Sequence, residues 1–409
     1  MINVAILGFG TVGSGVLEVL QKNAAGIARR AGQPVQVKYI LDIRDFSAHP
    51  QARLFVSSID PILEDPEVNT VVETIGGTKP AYFYVKSALE AGKNVCTSNK
   101  ELVATHGAEL LSIAVRHKVC FLFEASVGGG TPIITPLHQC LAANVISEVR
   151  GIVNGTTNFM LTRMEEDGMS FDEALKVAQG LGYAETIDPS ADVDGIDACR
   201  KIAILGSMLC GSEIHPENIP TRGIRDITID DIYFTKKMKL ALKLIAYAKR
   251  DAQSGFSCGV EPMVLPTESM LAGVKDVYNA VMIRGDMLGD VLFYGKGAGK
   301  LATASAVAAD IIDASKLGSS VHDSLFWAPT APLKNKITDG GQYTYYIRVN
   351  NQDIDTLKED LGGVVLTFQN HNQTAVLTTP MSAKELEKRC EKLRKDGIRV
   401  AMSLRLLEA

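Results

Sequence analysis

No apolar run in the 409-residue sequence approaches the 18 or so residues of a membrane span, and the first basic residue, Lys22, comes too late for the charged start of a signal peptide. A cytoplasmic protein is expected. Neither charge sign dominates: 42 Lys and Arg against 47 Asp and Glu leave a net charge of -5, with no sequence-wide attraction for phosphate backbones or anionic lipid. Nucleic acid and membranes are excluded as expected partners. The seven cysteines (Cys96, Cys120, Cys140, Cys199, Cys210, Cys258, Cys390) are odd in number and include no pair at the close spacing of a zinc or thioredoxin-type site. They read as reduced, mostly buried thiols. Seven histidines include no HExxH and no pair four apart, which points to structural or surface roles more than to metal ligation. The chemistry must come from elsewhere.

What is present is an ordinary globular composition, 46% hydrophobic and 22% charged, in a chain long enough for two to three domains. Glycine is in mild excess, 36 residues or about 9% against about 7% on average. Strands expected at Ile2 to Leu7, Val35 to Asp42, Thr70 to Ile75, Asn94 to Thr97 and Val119 to Phe123 alternate with helical stretches. That pattern predicts a parallel doubly wound α/β sheet of Rossmann type over residues 1–131, to which the chain is expected to return at about 296–316. Residues 132–316 mix helical and β-rich segments and read as an α+β substrate and dimerisation domain. Ser170 and Glu173 form a capping box for a helix through Leu181, and a further helix is expected from about Asp194 to Cys210. Residues 317–341 show little periodicity and read as a linker. Residues 342–409 then spell strand, helix, strand, strand, helix, strand, the ferredoxin-like βαββαβ order.

The segment Gly8-Phe9-Gly10-Thr11-Val12-Gly13 follows a strand and opens a helix. Gly8 permits a tight turn, Gly10 lets backbone approach a pyrophosphate, Gly13 lets helix and strand pack, and the helix N-terminus favours negative charge. Dinucleotide binding follows. Asp42 ends the second strand, 29 residues beyond Gly13 where the motif expects about 20. Its carboxylate would accept the ribose 2′-hydroxyl of NAD, whereas Arg44 could pair with the 2′-phosphate of NADP, so the choice stays open. The tract Gly295 to Lys300 is not a phosphate loop, because no glycine stands five before Gly299 and Leu301 follows Lys300. A close backbone approach to a ligand or another segment suits it better.

Asp194, Asp197 and Lys201 fall at i, i+3 and i+7 on one helix face that continues into an apolar run. Two readings remain open: an exposed ion-pair ladder, or a lysine held by a carboxylate and acting as general acid or base. Lys100, after Asn99 at the end of a parallel strand, is a second such lysine, because ligands bind at the carboxyl ends of those strands. The loop Glu124 to Pro132 is too glycine-rich for strand or helix. It is either a hinge or a set of carbonyls able to coordinate a hard cation.

Taken together, GFGTVG, Ser98-Asn99-Lys100, EASVGGGTP, Asn154-Gly155-Thr156-Thr157-Asn158 and LGYAE followed by DPSADVDGIDACRK resemble the homoserine dehydrogenases over nearly all of residues 1–316. Residues 342–409 resemble the ACT regulatory domain that bacterial members often carry. The resemblance implies NAD(P)-dependent interconversion of aspartate 4-semialdehyde and homoserine, on the route to threonine, methionine and isoleucine. It implies Lys201 as proton donor or acceptor at the substrate oxygen, with Asp197 at its side and Lys100 beside cofactor and substrate. Gly155, Thr156, Gly182, Glu185, Asp192 and Asp197 would line the substrate pocket. The GFGTVG residues, Asp42, Arg44, Thr74, Ser98, Lys100 and Gly299 would serve the cofactor, and carbonyls of Glu124, Val127, Gly129 and Thr131 a sodium ion. Lys100 would push the Lys201 pKa down and Asp197 would push it up. Glu185 to Pro189 is one residue longer than the family's usual Glu-x-Asp-Pro, which loosens the placement of Glu185. Ferredoxin-like modules commonly pair edge to edge, so a homodimer or homotetramer is expected by analogy, with the module either a dimerisation surface or the site of a threonine effector.

Two other readings compete. The nearest is another semialdehyde or amino-acid dehydrogenase with a similar nucleotide domain, but an acylating aldehyde dehydrogenase needs a nucleophilic cysteine, and none of the seven stands in these motifs. An inactive amino-acid sensor sits poorly with intact Lys100, Asp197 and Lys201.

Overall fold

The computed structural model describes residues 1–251, 255–329, 341–350 and 353–408. They divide into two units, the first drawn from Met1–Val149, Ala203–Asn218 and Val281–Leu333, the second from Arg150–Ile202, Ile219–Ala280 and Lys334–Ala409.

The first unit begins with strands β1 (Ile2–Leu7), β2 (Val35–Leu41), β3 (Phe55–Val56), β4 (Val68–Glu73), β5 (Asn94–Thr97) and β6 (Phe121–Leu122), joined by helices α1 (Thr11–Lys22), α2 (Ala24–Ala31), α3 (Asp60–Glu64), α4 (Ala81–Glu90) and α5 (Lys100–His117). The strands stand in the order β3-β2-β1-β4-β5-β6, and every neighbouring pair is parallel. All six residues of β1 are buried, as an apolar strand covered on both faces requires. This is the order of a doubly wound dinucleotide-binding sheet, whose ligand crevice opens where the order reverses, beyond the carboxyl ends of β1 and β4. Gly13 makes the turn after β1 possible, since a Cβ there would lie 2.0 Å from the Gly8 carbonyl oxygen.

The chain continues through β7 (Ile146–Ile152), α6 (Gly155–Asp167), α7 (Phe171–Gly180), α8 (Ser190–Val193), α9 (Ile196–Cys210) and α10 (Ile229–Lys237). The expected Ser170–Glu173 capping box opens α7, and Thr228 with Asp231 forms a second one at α10. Strands β8 (Leu240–Asp251) and β9 (Gly255–Pro266) pair antiparallel from Leu240 opposite Pro266 to Asp251 opposite Gly255, and β10 (Tyr278–Gly285) and β11 (Gly289–Lys296) follow.

Helix α11 (Lys300–Leu317) returns to the first unit and packs on α1, where a Cβ on Gly15 would lie 2.8 Å from the Lys300 carbonyl oxygen. Of the expected linker, residues 330–340 lie outside the described residues. The part before them is packed: Trp327 is 1% exposed, and its ring fills the space over Gly107. His322 Nε2 accepts the Phe121 N–H at 3.1 Å while Nδ1 faces the Leu325 carbonyl at 3.0 Å, an arrangement that suits the neutral ring. His138 meets Ser324 through Nδ1 at 3.1 Å.

The last segment runs β12 (Tyr345–Val349), α12 (Ile354–Leu361), β13 (Val364–Gln369), β14 (Thr374–Thr378), α13 (Ala383–Lys395) and β15 (Val400–Leu406). It has its own core, with Tyr345, Ile347 and Val349 facing Leu357, Leu361, Val376 and Leu393. Alternation along β12 sends Arg348 to the opposite face, where its guanidinium meets the fully buried Asp231 carboxylate at 2.8 Å. Within the second unit the strands stand in the order β8-β9-β15-β12-β14-β13, with β15 parallel to β9.

Burial, and the neighbouring His322, lower the pKa of His138 from 6.5 to about 4. Between those values the unfolded chain carries a proton on His138 that the folded chain refuses, so stability is full above pH 6.5 and falls as the pH drops toward 4. His322 is lowered too and adds to the same slope. Urea midpoints measured from pH 4.5 to 7.5 should therefore rise with pH, and His138→Gln should flatten the rise.

Candidate active site

In the second unit the chemistry gathers where α6, α8 and α9 begin or end. Asn154 caps α6: its side-chain oxygen accepts the Thr157 N–H at 2.8 Å. The same amide donates to Asp192 at 2.7 Å and to Asp197 at 3.0 Å. Asp197 and Lys201, one turn apart on α9, meet at 2.8 Å, with side chains only 7% and 9% exposed. Lys201 Nζ donates a further hydrogen bond to the Val153 carbonyl at 2.7 Å, and Asn279 donates to the same oxygen at 3.0 Å. The exposed ion-pair ladder is thereby ruled out. Asp194, the third member of that expected face, precedes the helix and turns instead to Arg225.

Gly155 begins α6 so close to the 274–278 segment that a Cβ would lie 2.7 Å from the Val277 carbonyl oxygen. Asn158 and the buried Lys243 hold that segment, both donating to the Val274 carbonyl. Burial lowers the Lys243 pKa to about 8. The Thr156 hydroxyl donates to the Tyr183 carbonyl at 2.7 Å, which ties the loop containing Gly182 to α6. Glu185 is not joined to this network: its side chain is exposed, and its backbone carbonyl accepts from Gln179.

In the first unit the turn Gly8 to Gly13 leads into α1, whose first turn holds no acidic residue and whose N-terminus has no side-chain cap. The space around Gly10 is open: a Cβ there would meet nothing within 4 Å. Uncapped N–H groups beside open space suit a pyrophosphate. Phe9 packs its ring edge-on against Phe46 and Phe55. The Thr74 hydroxyl bonds the Leu7 and Gly8 carbonyls at 3.1 and 2.8 Å, joining the carboxyl ends of β1 and β4. Thr11 is exposed, and Val12 is half-buried.

Asp42 lies at the end of β2 and accepts from the Phe9 N–H at 2.7 Å, from the Arg44 N–H at 3.0 Å, and from the Arg44 guanidinium at 2.9 and 2.8 Å. The guanidinium holds the Asp42 carboxyl well below the usual carboxylate range. The two candidate ribose contacts thus form one paired unit, with Asp42 largely covered and the Arg44 side chain 57% exposed.

Beyond β4 and β5 stands a residue absent from the motif-based set, Glu73. It is fully buried and accepts from Thr97 Oγ1 at 2.5 Å and from the Ile75 and Gly76 N–H groups. Burial raises its pKa against the pull of those bonds. Asn99 reaches from the N-cap of α5 to the Gly77 carbonyl at 2.6 Å, so this network orders the backbone that carries Ser98 and Lys100. The signal was a carboxylate closing an apolar strand, Val-Asn-Thr-Val-Val-Glu.

The loop Glu124 to Thr131 is buried except at Gly130. The Glu124 carboxylate accepts the N–H groups of Ile133, Ile134 and Thr135, and the Glu124 N–H donates to Asp310 at 3.0 Å. The loop packs on the tract that carries Gly299: a Cβ on Gly129 would lie 2.3 Å from the Gly297 carbonyl oxygen. Among the described residues no hydrogen bond falls on the carbonyls of Val127, Gly129 and Thr131, a donor set that fits a hard cation. Also among the described residues, no group of three or more His, Cys, Asp or Glu could hold a metal.

A dinucleotide-type sheet and a buried lysine–carboxylate pair define a nicotinamide-dependent oxidoreductase. Residues 8–124 match the family model for the homoserine dehydrogenase NAD-binding domain, and residues 132–312 that for homoserine dehydrogenase. The chain belongs to the homoserine dehydrogenase family. It is 41% identical to homoserine dehydrogenase of Lactococcus lactis over 76% of this chain and 73% of that one. Against the Pseudomonas aeruginosa enzyme it is 39% identical over 86% and 82%. The crystal structure of a homoserine dehydrogenase from Thiobacillus denitrificans superposes with a TM-score of 0.90 at 35% identity, covering 100% of this chain and 98% of that one. A hyperthermophilic archaeal homoserine dehydrogenase in complex with NADPH matches with a TM-score of 0.66 at 31% identity, over 77% and 97%.

Replacing Arg44 by Ala removes a cation and uncovers Asp42. The ratio of kcat/KM with NADP to kcat/KM with NAD should fall by roughly 10- to 100-fold, the worth of one charged hydrogen-bonding group. Initial rates with both cofactors measure it, and an unchanged ratio would remove Arg44 from the ribose site.

Proposed function

We propose that the chain interconverts L-homoserine and L-aspartate 4-semialdehyde at the branch toward threonine, methionine and isoleucine, with Lys201 moving the proton. The observation that carries this is the buried Lys201 ammonium, fixed by Asp197 and the Val153 carbonyl. In the oxidation direction the Lys201 amine takes the hydroxyl proton of homoserine; in the reduction direction its ammonium returns that proton to the aldehyde oxygen. The nicotinamide cofactor, when bound, accepts or supplies the hydride. Asp197 holds Lys201 in place and balances its charge, and Asn154 fixes Asp197 against Asp192. Gly155, Thr156, Gly182 and Glu185 complete the proposed substrate set.

The turn Gly8, Phe9, Gly10, Thr11, Val12, Gly13 would hold the dinucleotide, with Asp42 and Arg44 at its ribose and Thr74, Ser98 and Gly299 as further contacts. Lys100 is assigned to cofactor and substrate by the same family motif. A sodium ion would sit on the carbonyls of Glu124, Val127, Gly129 and Thr131 and hold that loop in shape. The division into residues 1–131 with 296–316, 132–316 and 342–409 is part of this proposal.

Residues 342–409 are proposed as a ferredoxin-like ACT module open to threonine. The βαββαβ succession and the strand order β15-β12-β14-β13 support it. Strand β13 ends the sheet with Val365 68% exposed, an apolar edge that favours pairing with a second copy and so a homodimer or homotetramer. The seven cysteines, none of them joined in a disulfide, suit a reducing cytoplasm.

Purified protein should reduce NAD or NADP when given homoserine. Lys201→Ala should lose roughly 100- to 10,000-fold in kcat, the range for one acid–base group, while cofactor still quenches or shifts its fluorescence as in the wild type. Full turnover in the variant would take Lys201 out of the mechanism. No homoserine-dependent reduction by the wild type would favour the sensor reading, and rates with and without threonine test the module.

A further inference from the structure

The Val153 carbonyl takes two donors, the Lys201 ammonium at 2.7 Å and the Asn279 side-chain amide at 3.0 Å. A carbonyl accepts and never donates, so the Asn279 amide can face it only through its nitrogen. The orientation of that amide is thereby settled, and its other end is unfavourable. Asn279 is 2% exposed, and among the described residues its Oδ1 accepts no hydrogen bond. A buried acceptor without a donor lowers stability, and an apolar side chain of similar size would avoid the loss. The bond to Val153 is therefore what an asparagine contributes here.

The segment that leads to Asn279 is fixed at several points. Asp276 has a φ of 53°, in the left-handed region that a residue other than glycine adopts at a cost. Its carboxylate accepts from Arg163 at 2.8 Å, and its N–H donates to the Thr162 hydroxyl at 3.1 Å. The buried Asn158 amide donates to the carbonyls of Val274, Asp276 and Tyr278 at 3.3, 2.9 and 3.2 Å. Behind it, Lys243 is 1% exposed and donates to Asn158 Oδ1 at 3.2 Å and to the Val274 carbonyl at 2.6 Å. A strained turn and a buried ammonium both oppose folding, and both fix where β10 begins. Asn279 is the second residue of that strand.

We propose that Asn279 is a positioning residue for the proton transfer: it occupies one lone-pair direction of the Val153 carbonyl, so that Lys201 approaches from the other and its Nζ is held on one line. Asn158, Lys243 and Asp276 place it. The proposal rests on the acid–base role given to Lys201. Without the Asn279 N–H the carbonyl would serve the ammonium alone and bond it more strongly, which favours the protonated form. The ionisable groups of this network, Asp197 on α9, Asp192 on α8, Lys243 on β8 and Asp276 with Arg163 beside β10, stay the same when Asn279 is replaced. A shift in the pH profile then reports Lys201.

The test is steady-state homoserine oxidation by the full chain and by its Asn279→Val and Asn279→Ala variants, across about pH 6.5 to 10.5, with thermal denaturation of each. Both variants should lose about 3- to 10-fold in kcat near neutral pH, the worth of one hydrogen bond, while KM for homoserine stays within about two-fold. The pH at which kcat reaches half its maximum should rise by about half a unit. Asn279→Val should melt within about 2 °C of the wild type or above it, because the unpaired acceptor is gone. An unchanged kcat and pH midpoint in both variants would overturn the proposal. So would a fall in kcat that keeps the wild-type midpoint and follows a lowered melting temperature, since that marks a residue serving the fold alone. Should Asn279→Val fail to fold, Asn279→Ala decides on the same kcat and midpoint. Lys201→Ala measured alongside separates the two readings. If it keeps full turnover, the Lys201 role fails and this proposal with it; if it loses turnover while both Asn279 variants match the wild type, only this proposal fails.

Discussion

One buried ammonium organises the second unit. Lys201 lies in an apolar helix where an unpaired charge is costly, so its surroundings must supply a carboxylate and a carbonyl at hydrogen-bond distance. Asp197 is available only because α9 places it one turn away. Val153 presents its carbonyl only because the chain leaves β7 there and enters α6 through the Asn154 cap. Asn154 therefore serves a helix N-terminus and two carboxylates with one side chain. The carboxylate that makes the charge tolerable also fixes the position of the amine.

The first unit solves a different problem, bringing backbone close to a phosphate and backbone close to backbone. At Gly13 and Gly129 a side chain would collide with a carbonyl oxygen of the facing segment, and no neighbouring rotamer could relieve it. The mild glycine excess is partly an account of such approaches. Around them stand buried acids that must be satisfied, Glu73 by Thr97 and backbone N–H groups, and Asp310 by the Glu124 N–H, with burial pushing the Asp310 carboxyl well up. These groups hold the loops that the motifs mark.

Much of this was legible in the sequence because the signals are local. The parallel sheet, the turn after β1, the capping box at Ser170 and the Asp197–Lys201 pair each follow from spacing within one element or one turn. The misses share a different physics. Asn279 acquires its partner across a long stretch of sequence, and Glu73, though bonded to the N–H groups just after it, is fixed by Thr97 on the neighbouring strand. Trp327 sits in an aperiodic stretch, so no period betrays its burial over Gly107. Asp194 shares a helical spacing with Asp197 and Lys201, but the helix starts after it and Arg225 draws it away. Glu185 stands in the longer loop, and the structure leaves its carboxylate outside the Lys201 network.

By itself the sequence determined the chemistry available: a glycine turn entering a helix, lysines flanked by carboxylates, and a βαββαβ tail, because each is written in residues a few positions apart. Only the tertiary structure decided which groups are committed. Asp42 and Arg44, read as alternative ribose contacts, became a single ion pair. Asp197 and Lys201 became a buried couple rather than a surface ladder, and Arg348 was consumed by Asp231. A charge's partner depends on distance through space and on the loss of water around it, and neither is a property of neighbouring letters in the chain.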